Sequence, residues 1–313
     1  MTRQKSKAEK NAVALSPPSN ISFTGDYHAA FKLFYNLKYA PEICSMCNGI
    51  GAFKKIYGEL SIENATAIPI FEARYKSTSH ALEELLRATG IKQVVELAAG
   101  MSPRGLTFSE NFPDVVYLET DLEGMLEKKR RIVASLMENG IAPKRDNLKF
   151  CNLDVTKPED FGRAIKVINP DKPVIFVAEG VLPYYPVQQK GEILDNIMSQ
   201  TRKSRGLFLT PDLSFTAERQ EFIAALPGHQ IGSAKVQKQS GRNFTTDNLK
   251  DRAAAQKLAI EHGWVVSTFE PIPTNQIVSL KALKDSRLSR SLAENIKKQG
   301  QIWLLSLDDH YQS

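Results

Sequence analysis

The chain has 313 residues, 42% of them hydrophobic and 24% charged, enough apolar material for one large or two modest cored domains and too much for a disordered chain. No apolar run approaches the roughly twenty residues of a membrane helix, and no apolar segment follows the basic N-terminal residues, so neither a membrane span nor a secretory leader is expected. The formal net charge is +6, of which Arg3, Lys5, Lys7 and Lys10 against Glu9 contribute +3; the rest is only mildly basic and gives little reason to expect a nucleic-acid partner.

Residues 1–20 are basic and run into Pro17-Pro18-Ser19-Asn20, the pattern of a disordered arm. A helical segment is expected over 21–90. Asp26 suits the cap of a helix through Tyr39, since Phe31, Phe34, Tyr35 and Leu37 fall at helical spacing and Pro41 stops it. Ile43 to Lys55 continues as a second helix or an irregular turn. Ser77, Thr78 or Ser79 caps a third, with Leu82, Leu85 and Leu86 as its apolar stripe and Gly90 at its end. Three cysteines, Cys44, Cys47 and Cys151, suit a reducing, cytoplasmic compartment. Cys44 and Cys47 have redox or half-zinc spacing, but no second Cys or His pair lies near them; two thiols on one buried helix face is the plainer reading, and no metal is expected.

From Ile91 onward strands and helices alternate, as in a parallel sheet. Strands are expected near 93–98, 114–120, 147–152, 173–179, 205–211, 264–270 and 300–307, and helices near 103–112, 122–139, 157–168, 186–200, 245–263 and 286–299. The interval 212–244 interrupts the alternation, helical over Phe215 to Leu226 and then loop-like through PGHQIGSAKVQKQSGRN. Such a segment, following the fifth strand, makes a natural lid over the strand ends.

The chemistry gathers around QVVELAAGMSPRGL, residues 93–106. Val94, Val95 and Leu97 read as a buried strand, Ala98, Ala99 and Gly100 as a turn with little side-chain bulk, and Ser102 with Pro103 as a helix start. Such a turn lets backbone amides approach a ligand closely, and the helix N-terminus favours negative charge. The next strands end in acids: Glu119 and Asp121 in VVYLETDLEGML, Asp154 in LKFCNLDVT and Glu179 in PVIFVAEGVLPYY. An acid at the tip of the second strand can accept from ribose hydroxyls, and open α/β sheets bind ligands at these carboxyl ends.

Together, ELAAGMSPRGL, YLETDL, NLDVT and VAEGVLPYY resemble the S-adenosylmethionine-dependent methyltransferases of the leucine carboxyl methyltransferase type, which includes polyketide-modifying O-methyltransferases. The resemblance covers roughly residues 70 to 310; its most specific pieces are the A-G-x-x-x-R turn at Ala99 to Arg104 and the acid-Gly-x-Leu-x-Tyr stretch at Glu179 to Tyr184. It implies a class I methyltransferase, Rossmann-like α/β fold: a seven-stranded sheet with helices on both faces, an antiparallel final strand, an N-terminal helical extension and a lid insertion, with the methyltransferase domain over 91–313. It also implies S-adenosylmethionine as cofactor. Glu96, Gly100 and Arg104 then stand at the first turn, with the Gly100 backbone against the methionine part. Asp121 holds the ribose, Asp154 with Leu153 and Val155 frames the adenine, Glu179 faces the amino or sulfonium end, and Arg74, in FEARYKSTSH, pairs with the cofactor's carboxylate. The family often carries glycine at both ends of the first turn, where this chain has Ala98 and Ser102.

Each residue also has a plainer role. Glu96 in an apolar strand needs a partner, and Arg104 can serve only to brace the loop or a neighbouring acid. Asp121 and Asp154 both suit helix caps. Glu179, with no lid-side partner in sequence, requires a ligand or a cation. Tyr184 and Tyr185 can line the methyl pocket or the core, and His229, in the lid loop, is a candidate proton acceptor or merely solvated. The expected reaction is methyl transfer to a carboxylate or hydroxyl of a small molecule or peptide terminus. The alternatives are a Rossmann-type NAD(P)-dependent oxidoreductase and an inactive binding protein on the same fold. Overlaying G-x-G-x-x-G on Ala98, Gly100 and Pro103 keeps only the middle glycine, which disfavours the former.

Overall fold

Strands β1 (Gln93–Leu97), β4 (Ile175–Ala178) and β5 (Leu207–Thr210) are buried at every position. Successive side chains of a strand point to opposite faces, so both faces of the sheet centre are covered. The computed structural model describes residues 22–240 and 247–307; the basic arm expected over 1–20 lies outside them. With β2 (Val116–Asp121), β3 (Leu148–Asn152), β6 (Val265–Phe269) and β7 (Ile302–Ser306), the sheet runs β3-β2-β1-β4-β5-β7-β6. Strands β1 to β5 are parallel to their neighbours, and β7 inserts antiparallel between β5 and β6. This is the class I methyltransferase arrangement, and all seven strands fall where the apolar runs put them.

Parallel strands need crossovers, and helices α5 (Arg104–Asn111), α6 (Glu123–Glu138), α7 (Pro158–Val167) and α8 (Val187–Ser204) supply them. Because β1 and β4 adjoin while chain order turns outward on either side of them, the carboxyl ends of β1, β2 and β4 meet at one crevice.

The N-terminal region is helical as expected, but its boundaries differ. α1 (Ser22–Phe31) already contains Asp26, whose carboxylate is occupied by Lys128 Nζ at 2.7 and 2.8 Å rather than capping the helix. Asn36 turns left-handed at φ 56° and breaks the run before Tyr39, and Pro41 opens α2 (Ala40–Met46) instead of ending a helix. Cys44 and Cys47 are both buried there. After α3 (Gly49–Tyr57), α4 runs unbroken from Ile68 to Thr89. The expected caps therefore lie inside it: Thr78 and Ser79 donate back to the carbonyls of Arg74 and Tyr75, and Ser77 accepts from the Ile272 amide.

In the interval after β5, α9 (Ala217–Ala225) agrees with expectation, but most of the stretch read as loop forms α10 (Gln230–Ser240), and 241–244 of the expected lid lie outside the described residues. α10 packs on α3 through Gly232, where a Cβ would stand 1.9 Å from the Tyr57 ring. The rest is α11 (Arg252–Glu261), which starts later than the helix expected from 245 because Asp251 caps it through the Ala254 amide, then α12 (Val278–Ala282) and α13 (Ser286–Gln299). Among the described residues no helix is long and apolar enough to cross a membrane.

Candidate active site

The turn after β1 is bent by two left-handed residues, Ala98 at φ 51° and Gly100 at φ 53°. Glycine reaches that region freely and alanine does not, so Ala98 is strained where this chain departs from the glycine pattern. The Gly100 amide donates to Asp121 Oδ2 at 2.7 Å and the Leu122 amide to Oδ1 at 2.8 Å, which ties the first turn to the end of β2. Burial pushes the Asp121 carboxyl up to about 6, and the two amides pull the other way.

Below the turn lies a pair that sequence reasoning missed. Lys129 of α6, 1% exposed, donates to the carbonyls of Ser102 and Gly100 and pairs with Glu119 at 3.0 Å. Burial pushes Glu119 up to about 7 against that ammonium. Glu119 also fills the space beside Gly105, where a Cβ would lie 2.2 Å from its Oε1. A lysine at helical spacing looks like any solvated face, so the only signal was an acid inside an apolar strand.

Glu96, Arg104 and Glu179 form a buried chain of charge. Arg104 Nη1 donates to Glu96 Oε1 at 2.5 Å, Nη2 donates to Glu179 and to the Tyr75 carbonyl, and Nε donates to Ser79 Oγ at 3.0 Å. Tyr117 donates to the other Glu96 oxygen at 2.8 Å. Arg104 is thus committed to the protein at all three nitrogens, the bracing role. Glu179 also accepts from Arg74 Nε at 3.3 Å. Burial pushes Glu179 up, but Arg104, then Arg74 and Lys32, outweigh it and hold the carboxyl below its usual range. The cation Glu179 required is therefore doubly supplied, by arginines 75 and 105 residues away. Asp212, also unanticipated, accepts from the amides of Gly180, Val181 and Leu182 at 2.7–2.9 Å and fixes the turn that carries Glu179.

Asp154 accepts from both the amide and the hydroxyl of Thr156, the local turn its sequence context allowed. Tyr184 and Tyr185 are buried at the turn after β4. His229 is not solvated: it is 4% exposed, stacks on Tyr57 with ring centres 5.5 Å apart, and is pushed down to about 4 by burial, so it is neutral at pH 7. α10, unforeseen from the sequence, follows it directly and packs on α3.

One cavity at the carboxyl ends of β1 to β4 is lined by Arg74, Glu96, Gly100, Arg104, Asp121, Asp154 and Glu179, and also by Tyr184, Tyr185 and His229. Residues the sequence did not single out complete it, among them Tyr27, His28 and Lys32 from α1 and the following turn. Burial lowers Lys32 to about 8 while Glu179 pulls it back up.

The family model for leucine carboxyl methyltransferase matches residues 56–198, a span that holds Arg74, the Gly100 turn and all the strand-end acids. A protein of Mycobacterium sp. (strain JLS), provisionally named an S-adenosyl-L-methionine-dependent methyltransferase, is 24% identical over 249 residues, 76% of this chain and 81% of the relative. The chain is a methyltransferase, similar over residues 56–198 to the leucine carboxyl methyltransferase family and over most of its length to S-adenosyl-L-methionine-dependent relatives. A relative of the same provisional name from Mycolicibacterium smegmatis is 29% identical over 57% of the methyltransferase and 56% of its own length. The methyltransferase is also similar to a solved DUF574 family protein from Streptomyces avermitilis, with a TM-score of 0.49 and 9% identity over 91% of this chain and 97% of that one. The names of the Mycobacterium and Mycolicibacterium relatives give S-adenosyl-L-methionine as their cofactor. None of these matches favours an oxidoreductase or an inactive binding protein.

Proposed function

We propose that this methyltransferase moves a methyl group to an oxygen, carboxylate or hydroxyl, of a small molecule or a peptide terminus, and that it works in the cytoplasm. The observation that carries the reading is convergence: acids from separate strands, the Gly100 turn and Arg74 border a single cavity that continues into a chamber lined by aromatic rings. These residues fit the cofactor. Asp121 keeps lone pairs after its two amide bonds, enough for ribose hydroxyls. Arg74 spends only Nε on Glu179 among the described residues, so its Nη groups are free for a carboxylate, with Lys32 beside them. Leu153, Asp154 and Val155 frame the adenine, Gly100 lies against the methionine part, and Glu179 faces the amino or sulfonium end. Glu96 and Arg104 act one step back, by holding Glu179.

When bound, the cofactor supplies a methyl carbon activated by a positive sulfur. The chain's own residues align an acceptor oxygen with that carbon and exclude water, with the described residues 212–240 as the lid. A carboxylate acceptor is already ionised near neutral pH and needs no base. A hydroxyl acceptor needs a partner for its proton, and His229, Tyr184 and Tyr185 are the groups at hand.

Transfer of a labelled methyl group to a fractionated acceptor pool tests the reading, together with mass spectrometry for cofactor retained on purification. Label in a methyl ester or ether is expected. Label on nitrogen or carbon overturns the oxygen assignment, and cofactor binding with no transfer to any pool overturns the activity.

A further inference from the structure

The cavity has two chemically unlike halves. Its charges gather around Glu179: Arg104 and Arg74 pair with it, and Lys32 faces the same carboxylate. Under α9 and α10 the lining is aromatic. Phe71 packs on His28, Phe215 and His229 with ring centres 5.4, 6.2 and 6.3 Å away, and Tyr57 stacks on His229. Burial is the cause of the lowered basicity of His229, which leaves its imidazole neutral at pH 7. In this half two polar atoms lack any partner among the described residues: His229 Nδ1 and Gln220 Nε2, on side chains 4% and 5% exposed. Buried polar atoms are normally satisfied, and two bare ones in a ring-walled chamber point to a ligand that satisfies them.

The geometry points to this half as the acceptor pocket, built for a flat ring system that meets the lid through an uncharged oxygen, a hydroxyl or carbonyl, accepting from Gln220 Nε2 and pairing with His229. This rests on the methyltransferase reading above, which puts the cofactor in the charged half. Ring faces carry negative charge and repel an anion. A neutral imidazole gives a buried anion no compensating charge; the nearest cation, Arg74, lies over Phe71 and Phe215 at 5.1 and 5.7 Å, but its Nε is paired with Glu179 and its Nη groups are taken by the cofactor's carboxylate in that reading. An aliphatic chain would fill the space and leave both polar atoms bare.

Ligand-detected NMR on the full chain saturated with S-adenosylhomocysteine, with 2-naphthol, 2-naphthoate and octanoate as probes, tests the proposal. 2-Naphthol is expected to bind, and both carboxylates to bind about tenfold more weakly or not at all. Gln220→Leu and His229→Phe are each expected to weaken 2-naphthol about fivefold, with S-adenosylhomocysteine affinity by calorimetry unchanged. Preference for either carboxylate, or no binding of any probe to the loaded protein, overturns the acceptor proposal and leaves the cofactor reading standing. Failure of S-adenosylhomocysteine itself to bind removes both. The three-probe comparison on the native chain decides the matter even where a variant does not fold.

Discussion

Asp121 has each carboxylate oxygen on one backbone amide and is raised by burial from 3.8 to about 6. A carboxyl raised in the native state binds its proton more tightly than in the unfolded chain, so Asp121 lowers stability as pH rises between about 4 and 6. Ribose hydroxyls donate to the ionised form, and cofactor affinity runs the other way. Calorimetry is expected to show S-adenosylhomocysteine binding about tenfold tighter at pH 7.5 than at pH 5, with Asp121→Asn flattening the profile; an unchanged profile in the variant would remove Asp121 from the site. At Glu179 the expectation is a double loss. Glu179→Ala weakens cofactor binding by about 1–3 kcal/mol and lowers the melting temperature, because Arg104 is left buried beside one acid instead of two. Ala98 should respond oppositely: its left-handed backbone disfavours any side chain, so Ala98→Gly is expected to stabilise the protein by about 0.5–1 kcal/mol, after the added freedom of the unfolded chain is subtracted. A fall in melting temperature would show the strain is absent.

Among elements, the joint between β1, α5 and α6 decides how the first turn is held. Lys129 reaches up from α6 to the turn's carbonyls, and Glu119 of β2 keeps the ammonium in place from below. α5 starts close above Glu119 only because Gly105 has no side chain. Gly105→Ala is therefore expected to push the Glu119 carboxylate off Lys129, destabilising by about 1–3 kcal/mol and weakening cofactor binding as well. Denaturation alongside calorimetry separates these effects; loss of stability with unaltered affinity would mean the turn does not depend on the pair. α10 shows a similar dependence on a missing side chain, since Gly232 lets it settle on Tyr57 and so bury His229.

Over the whole molecule, the cavity is closed by helices from the start of the chain, strand ends from its middle and the segment after β5. A ligand touching all three should stabilise the fold as a unit. Saturation with S-adenosylhomocysteine at about a hundred times its dissociation constant is expected to add about 2.7 kcal/mol, seen as a single shifted thermal transition, whereas NADH shifts nothing. A shift with NADH alone would reverse the assignment.

The sequence by itself determined the seven strands, their alternation with helices and the acids at their tips. Those signals are local: apolar runs of strand length, a turn of small residues, and the distance from Gly100 to Asp121. It could not tell that Ser77 to Ser79 lie inside a helix, because a hydroxyl that caps and one that bonds back a turn look alike in one dimension. Only the tertiary structure decided that Arg104 is fully committed to Glu96, Glu179, Ser79 and Tyr75, that Lys129 and Asp212 hold the two turns lining the cavity, and that His229 is dry and neutral. Burial and charge pairing depend on which distant segments meet, and residues 75 to 105 positions apart in the chain share one carboxylate here.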